Sequence, residues 1–511
     1  MPSDRILVLY TDDEPGYKST NLDSGVPPPS LSTLPRIVKA PRGGGSNIVS
    51  MQGQANRNAR QLPQHSHQSH SQRTDKPNEP IAPTPPRPAV DVVGRFFVVI
   101  ENKRAANFVE QLSTPEWSRM MSERDDVRGR RTDTRLLRDD TGLIQNLERQ
   151  KETLIKAAMP TREFNAVCAP NNPYAALTQC STLDNLSAVA LGHLDFLLQP
   201  VQEYLKAEAG MQFVDLGSRH GGFSWYILWR ASQRKTGGSS AKGWYFGRGD
   251  AAAFKQSPAT GDSGYGLDIE RLSLDCSGAA GSLTEFEADS KTKPDILDPA
   301  TVEAFIEFVK SNSTNAAGVD LVVGECGGGD DLPDFGTDLE RRQYAFILAQ
   351  AVIALRVLRK DGTFVFKMAD TTTPLSAEIL FLLHSCFERM AIVRSLASRP
   401  TSSERYIVCN HLKGEPRWIA SHLLAALTRI HADQFKLSHL VSWTRVSADK
   451  EFIDKISSVN VTLARTQMSA LKYAIEQRSS SNSVDNRSSK FQIDVAERCL
   501  KTWGLPVKPM H

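Results

Sequence analysis

VDLVVGECGGGDDLPDFGTDLERRQYAFILAQAVIALRVLRKDGTFVFKM, residues 319–368, sets two short apolar runs on either side of a long helical pattern. VDLVVGE (319–325) and GTFVFKM (362–368) are apolar without polar alternation, the pattern of strands covered on both faces. RRQYAFILAQAVIALRVLR (341–359) is far too long for a strand and carries apolar residues at helical spacing. A strand, a helix and a second strand of this kind form a crossover unit with parallel strands.

The pattern repeats on both sides. Upstream lie FVDLG (213–217) and GWYFG (243–247) as strands, with FSWYILWRASQR (223–234) and ATVEAFIEFVKSN (300–312) as helices. Downstream, LSAEILFLLHSCFERM (375–390) is a helix and ERYIVCNHL (404–412) a last strand. Residues 185–410 therefore predict an α/β fold, a mostly parallel sheet with helices on both faces. The close spacing of the last helix and strand leaves room for a terminal antiparallel strand.

The flanks differ in composition. Residues 1–90 hold 14 of the 28 prolines, a Gly43-Gly44-Gly45 run and the tract QHSHQSHSQ. Such a segment buries too little apolar surface to offset its ordering entropy and is expected to be disordered. His65, His67 and His70 read as part of a solvated linker. VVGRFFVVI, near residue 92, is a short strand, and charged helix-compatible sequence follows in a 91–164 extension. Residues 413–511 read as a helical extension, broken by a Ser-rich stretch at 479–489.

Lys plus Arg number 61 against 58 Asp plus Glu, so any nucleic-acid-binding surface must be local. Seven cysteines without CxxC spacing argue against a zinc module or a disulfide framework, so no metal is expected. The N-terminus lacks a secretory signal, and no run of about 18 apolar residues predicts a membrane span. A cytoplasmic or nuclear setting follows.

Asp215-Leu216-Gly217-Ser218-Arg219-His220-Gly221-Gly222-Phe223 joins a strand to a helix. Glycines there let backbone approach a ligand, and the helix start offers N–H donors. The loop lacks both the GxGxxG of dinucleotide binders and the GK[ST] of a phosphate loop, which argues against a NAD-linked oxidoreductase. Three ionisable residues sit at strand ends: Glu325, Lys367 and Glu404. A lysine closing an apolar strand is unusual, because burying an ammonium is costly.

These segments together resemble the FtsJ-like (RrmJ-type) family of S-adenosylmethionine (SAM)-dependent RNA 2′-O-methyltransferases, and within it the mRNA cap type. GTFVFKMADTTTPLSAEILFLLHSCFERMAIVRSLASRPTSSERYIVC (362–409) is similar to the family's block from the catalytic Lys to the final Glu. FVDLGSRHGGFSWYILWR resembles its first SAM motif. NNPYAALTQC and ERCLKTWGLP resemble its flanking segments, so the likeness runs over about 165–511. It implies a Rossmann-like methyltransferase domain over 165–412 that transfers a methyl group to a ribose 2′-hydroxyl at the start of capped mRNA.

By motif position, the resemblance makes Lys367 the base and Glu404 the last, substrate-contacting acid of a Lys-Asp-Lys-Glu set. It implies SAM contacts at Asn185, Gly217, Ser218, Arg219, His220, Gly221, Gly222 and Phe223, and at Asp295 and Ile296 in KPDILDP. Partners would be RNA and the transcription or capping machinery, with the nucleus as the place of work.

Four positions depart from the family. Glu325 stands for its Asp; no Lys lies near Ala190, where its first Lys falls; Arg219-His220 replaces a Gly-Pro; and Cys168 takes the place of a basic residue. Two expectations follow: a divergent active enzyme, or a catalytically inactive relative that binds RNA or a partner.

Overall fold

The computed structural model describes residues 90–94, 97–104, 142–156, 168–206, 210–218, 221–233, 241–247, 281–286, 294–325, 337–414, 416–433, 437, 439–479 and 487–509. Apart from Val90, the expected disordered tail lies outside the described residues, as do Arg219 and His220.

Eight strands form one sheet: β1 (Phe97–Glu101), β2 (Met211–Leu216), β3 (Ala241–Phe246), β4 (Gly281–Glu285), β5 (Val319–Gly324), β6 (Leu358–Met368), β7 (Phe387–Val393) and β8 (Arg405–Leu412). Their order is β1-β7-β8-β6-β5-β2-β3-β4. The run from β4 through β6 is parallel. β8 inserts antiparallel between β6 and β7, and β1 closes the edge antiparallel to β7.

The principal helices are α1 (Leu143–Lys156), α2 (Leu186–Leu198), α3 (Gly222–Ser232), α4 (Pro299–Asn312), α5 (Thr337–Val357), α6 (Pro374–Cys386), α7 (Arg417–Asp433), α8 (Lys450–Ser479) and α9 (Arg487–Trp503). Their starts follow capping chemistry. Asp298 accepts from the N–H groups of Ala300 and Thr301 with Pro299 at the first helical position, and Thr373 caps α6 with Pro374 in the same place.

The apolar strands are covered on both sides, and side-chain alternation sorts them. Phe213, Tyr245, Leu321, Val323, Val365, Tyr406 and Val408 meet α2, α3 and α9. Val214, Trp244, Phe246, Val322, Phe364, Phe366 and Ile407 meet α4, α5, α6 and α7. Each fully buried Val, Leu, Ile or Phe contributes roughly 1.5–3 kcal/mol by leaving water. The α/β class with helices on both faces is the one the sequence predicts.

The C-terminal helices belong to these two layers. Phe452 and Ile456 of α8 enter one core, and Cys499, Leu500 and Trp503 of α9 enter the other. α1 packs along α8 through Ile144, Leu147, Ala464 and Leu471.

Two strands escape the sequence reading. The helix expected over 375–390 stops at Cys386, because Phe387–Val393 pairs with β8 on one side and β1 on the other. GSLTE forms β4 at the far edge of the sheet. Among the described residues, no helix is long and apolar enough to cross a membrane.

Candidate active site

The chain leaves β2 for β3 and β4 on one side, then returns to place β5 and β6 on the other. The carboxyl ends of β2 and β5 thus meet at a switch point, where open α/β sheets bind ligands. β8 runs antiparallel, so its first residues lie at the same edge, with Arg405 opposite Met368. Topology alone brings together the loop after β2, Glu325 after β5, Lys367 at the end of β6 and Glu404 ahead of β8.

The three ionisable groups touch. Lys367 Nζ lies 2.6 Å from Glu325 Oε1 and 3.2 Å from Glu404 Oε2, with side-chain exposures of 21%, 11% and 15%. Burial works against the ammonium, but the two carboxylates outweigh it and hold Lys367 well above the ordinary lysine value. Burial would likewise raise Glu404, yet Lys367 and the Ser398 hydroxyl bring it down to about 2. The oxygens have further partners. Ser187 Oγ donates to Glu325 Oε2 at 2.7 Å, Ser398 Oγ to Glu404 Oε1 at 2.7 Å, and Tyr406 OH to Glu404 Oε1 at 3.1 Å.

Ser187 is the second residue of α2, and Ala190 sits one turn further along the same helix, fully buried. The position where the resemblance expects a lysine is therefore a packed alanine. No second ammonium from that helix position pushes on Lys367.

The loop after β2 is braced from within. Asp215, fully buried, accepts from Ser218 N (3.0 Å), Ser218 Oγ (2.6 Å), Ser224 N (3.0 Å) and Ser224 Oγ (2.7 Å). Burial pushes its carboxyl up to about 6 against these bonds. Phe223 N donates to Ser218 Oγ at 3.2 Å, while the Phe223 ring is fully buried in the core.

Two glycines do different work. At Gly217 φ is +73°, a left-handed turn that favours glycine, and a Cβ there would make ordinary contact with Phe246 O at 3.8 Å. At Gly222 a Cβ would fall 2.1 Å from Asn185 Oδ1. Gly222 thus lets the starts of α2 and α3 press together, and Gly221 caps α3 at φ +67°. Asn185, expected to face the cofactor, caps α2 by accepting from Ala188 N at 3.0 Å. Asp295 is exposed in the segment between β4 and α4, accepting from Leu297 N at 2.9 Å, and Ile296 is anchored in the core.

A buried ionic network stands behind the triad. Asp370 binds Lys151 Nζ at 2.8 Å and Arg405 Nη2 at 2.9 Å. Arg405 Nη1 reaches Thr371 and Asn460, each at 2.7 Å. Arg394 donates to the carbonyls of Ser402 (2.8 Å) and Glu404 (3.4 Å), and Gln467 to that of Thr401 (2.7 Å). The segments flanking Lys367 and Glu404 are thereby tied to α1 and α8.

The FtsJ-like methyltransferase family matches residues 197–412, which include the loop and all three members of the triad. This chain carries an FtsJ-like methyltransferase domain. It is similar to cap-specific mRNA (nucleoside-2′-O-)-methyltransferase 1 of Ailuropoda melanoleuca, 28% identical over 355 residues, 66% of this chain and 38% of that protein. The protein of that name from Homo sapiens is 27% identical over 355 residues, with the same 66% and 38% coverage. That from Caenorhabditis elegans is 25% identical over 448 residues, 80% of this chain and 44% of its own. The chain spans less than half the length of these curated relatives.

Within the FtsJ-like domain, the sequence reading had placed Lys367, Glu325 and Glu404 together, and the structure does bring them together. It had not found Ser398 and Tyr406, nor Ser187 just upstream of the matched region. Ser187 had a local signal, a hydroxyl in the first turn after the Asn185 cap. Lys151, Asp370, Arg405 and Asn460 had none, being separated by up to 309 positions of sequence.

Proposed function

We propose that this chain is a SAM-dependent RNA 2′-O-methyltransferase acting on the first transcribed nucleotide of capped mRNA. The observation that carries the reading is the Lys367 ammonium bracketed by Glu325 and Glu404 at the switch point, on the same edge as the Gly217 loop. The names of the curated relatives support the substrate. RNA processing of this kind places the protein in the nucleus, beside the transcription or capping machinery.

The residues fit the cofactor. Gly217 turns the chain at the end of β2 with φ +73°, and the exposed Asp295 carboxylate suits ribose hydroxyls of an adenosine. Bound there, SAM supplies an activated methyl group on a sulfonium. Lys367 anchors the oxygen of the incoming hydroxyl through a charge-assisted hydrogen bond, while Glu325 and Glu404 fix the ammonium in place.

Ala190 favours a second reading, a catalytically inactive relative that binds RNA or a partner, since its methyl group supplies no charge. Incubation with labelled SAM and capped RNA separates the two. The proposed enzyme transfers label, and Lys367→Ala lowers the rate by at least about 10²-fold. Absence of transfer by the unaltered protein would favour the binding role.

A further inference from the structure

We propose that a cavity beside the triad is a socket for one uncharged nucleobase of the RNA, that of the nucleotide whose ribose is methylated, and that Tyr473 stacks on it. The nucleotide's place in the reaction rests on the methyltransferase reading above.

The cavity measures about 230 Å³. An apolar cavity of about 150 Å³ accepts benzene, so this one has room for a single base and not for two. Its walls come from four parts of the chain. Cys168 and Leu177 flank the NNPY segment, Leu186 opens α2, Ala397 and Pro400 belong to the loop before β8, and Tyr473 comes from α8. Leu186 precedes Ser187, which donates to Glu325, and Ala397 and Arg399 flank Ser398, which donates to Glu404. The walls are thus the immediate neighbours of the residues that hold both carboxylates. That puts the cavity alongside the reacting ribose rather than further along the RNA.

The lining suits a flat ring with a polar edge. Leu186 is 41% exposed at the cavity, and a large aliphatic side chain left in water gains by being covered. Two buried groups lack polar partners. Asn172 is 9% exposed and accepts from Tyr174 N through Oδ1, while nothing among the described residues accepts from its Nδ2. Thr401 is 4% exposed, and its hydroxyl has no partner among the described residues either. Such groups cost free energy until a ligand supplies the missing bonds, and every base edge carries acceptors for them. Tyr473 is half-buried and lies beyond the matched residues 197–412. Gln467 holds α8 against the loop, donating to Thr401 O at 2.7 Å.

Charge chooses among the bases of a capped RNA. Arg399 lines the cavity, and its charge acts on Cys168 and on Glu404. Burial pushes the Cys168 thiol up to about 11, so that wall stays neutral where the resemblance expects a basic residue. No carboxylate lines the cavity among the described residues. A 7-methylguanine carries a positive charge, which Arg399 repels and no lining acid offsets. A transcript base is uncharged, and the guanidinium is then left for its phosphate.

RNA binding by the full chain, followed by fluorescence anisotropy, tests this with a capped RNA and the same RNA carrying an abasic ribose at the first transcribed nucleotide. The unaltered protein should bind the abasic RNA about 5- to 150-fold more weakly, the range for losing one stacked base. Tyr473→Ala should weaken the intact RNA by a similar factor and leave the abasic RNA within about twofold. Tyr473→Phe keeps the ring and should stay within about threefold of the unaltered protein. Thr401→Val keeps the side-chain shape and should weaken only the intact RNA, by about 2- to 10-fold. Equal losses for the two RNAs in Tyr473→Ala, or equal binding of both by the unaltered protein, would overturn the socket and leave the cavity to an apolar side chain of a protein partner. 7-Methyl-GTP alone should bind the unaltered protein and Tyr473→Ala alike. Binding of it that falls with Tyr473 would give the cavity to the cap guanine and overturn the proposal as well. Methyl transfer is measured on the same samples. Transfer without coupling between Tyr473 and the base refutes the socket alone, whereas coupling without transfer refutes the methyltransferase reading and retains a base-binding site.

Discussion

Gly222→Ala tests how the starts of α2 and α3 are locked together beneath the triad. The added Cβ would stand 2.1 Å from Asn185 Oδ1, 2.7 Å from Asn185 Cγ and 2.9 Å from Ser187 Cβ. Ordinary contact begins near 3.4 Å, so Asn185 must retreat by more than 1 Å. That movement breaks the cap on Ala188 N, at a cost of about 1 kcal/mol. Overpacking against Ser187 adds about 1–3 kcal/mol, for a total of roughly 2–4 kcal/mol. Thermal unfolding followed by circular dichroism should show a midpoint lowered by about 2–5 °C. Asn185→Gly removes the obstructing amide and by itself costs only a few tenths of a kcal/mol relative to the native cap. The double variant should recover part of the loss, up to about 1 kcal/mol, because the contact with Ser187 remains. A Gly222→Ala midpoint within about 1 °C of the original, or strictly additive effects in the double variant, would refute this packing.

Asp370→Asn leaves Lys151 and Arg405, with side-chain exposures of 0% and 2%, facing each other without their shared anion. Breaking a buried pair in this way costs about 3–5 kcal/mol, and adding Lys151→Met should restore part of it, as chemical denaturation can measure. Glu378 is pushed up to about 7 by burial, although it accepts from Leu440 N and Val441 N. A carboxyl whose folded value lies above its unfolded value binds its proton more tightly when folded. Its contribution is full below about 4.5 and declines as pH rises towards 7, by on the order of 3 kcal/mol. Glu378→Gln should remove that decline, so that stability of the variant relative to the original rises between pH 5 and 7; a constant difference would contradict the assignment.

Much of the architecture was legible because both-face burial leaves continuous apolar runs, which read clearly at β2, β3, β5 and β6. β7 was hidden for a physical reason: FERMAIV continues an apolar run that suits helix as well as strand, and only pairing with β1 and β8 decides between them. β4 was hidden because GSLTE pairs along one side only, at the edge, and carries few apolar residues. At the site, Lys367, Glu325 and Glu404 were readable from their positions at strand ends. The protonation of Lys367 was not, because it depends on distances between three separate elements. Asn185 and Gly222 read as ligand-facing residues, and their close approach at the junction of two helices had no signal in the sequence.

The most direct test of the central claim is where the methyl group goes. A ribose 2′-O-methyl removes the hydroxyl that alkali uses to cleave the adjoining phosphodiester. Capped RNA treated with this protein and labelled SAM should therefore yield, after alkaline hydrolysis, label in a resistant cap-containing fragment. Label in alkali-sensitive mononucleotides, on a base, or nowhere in the RNA would contradict the account.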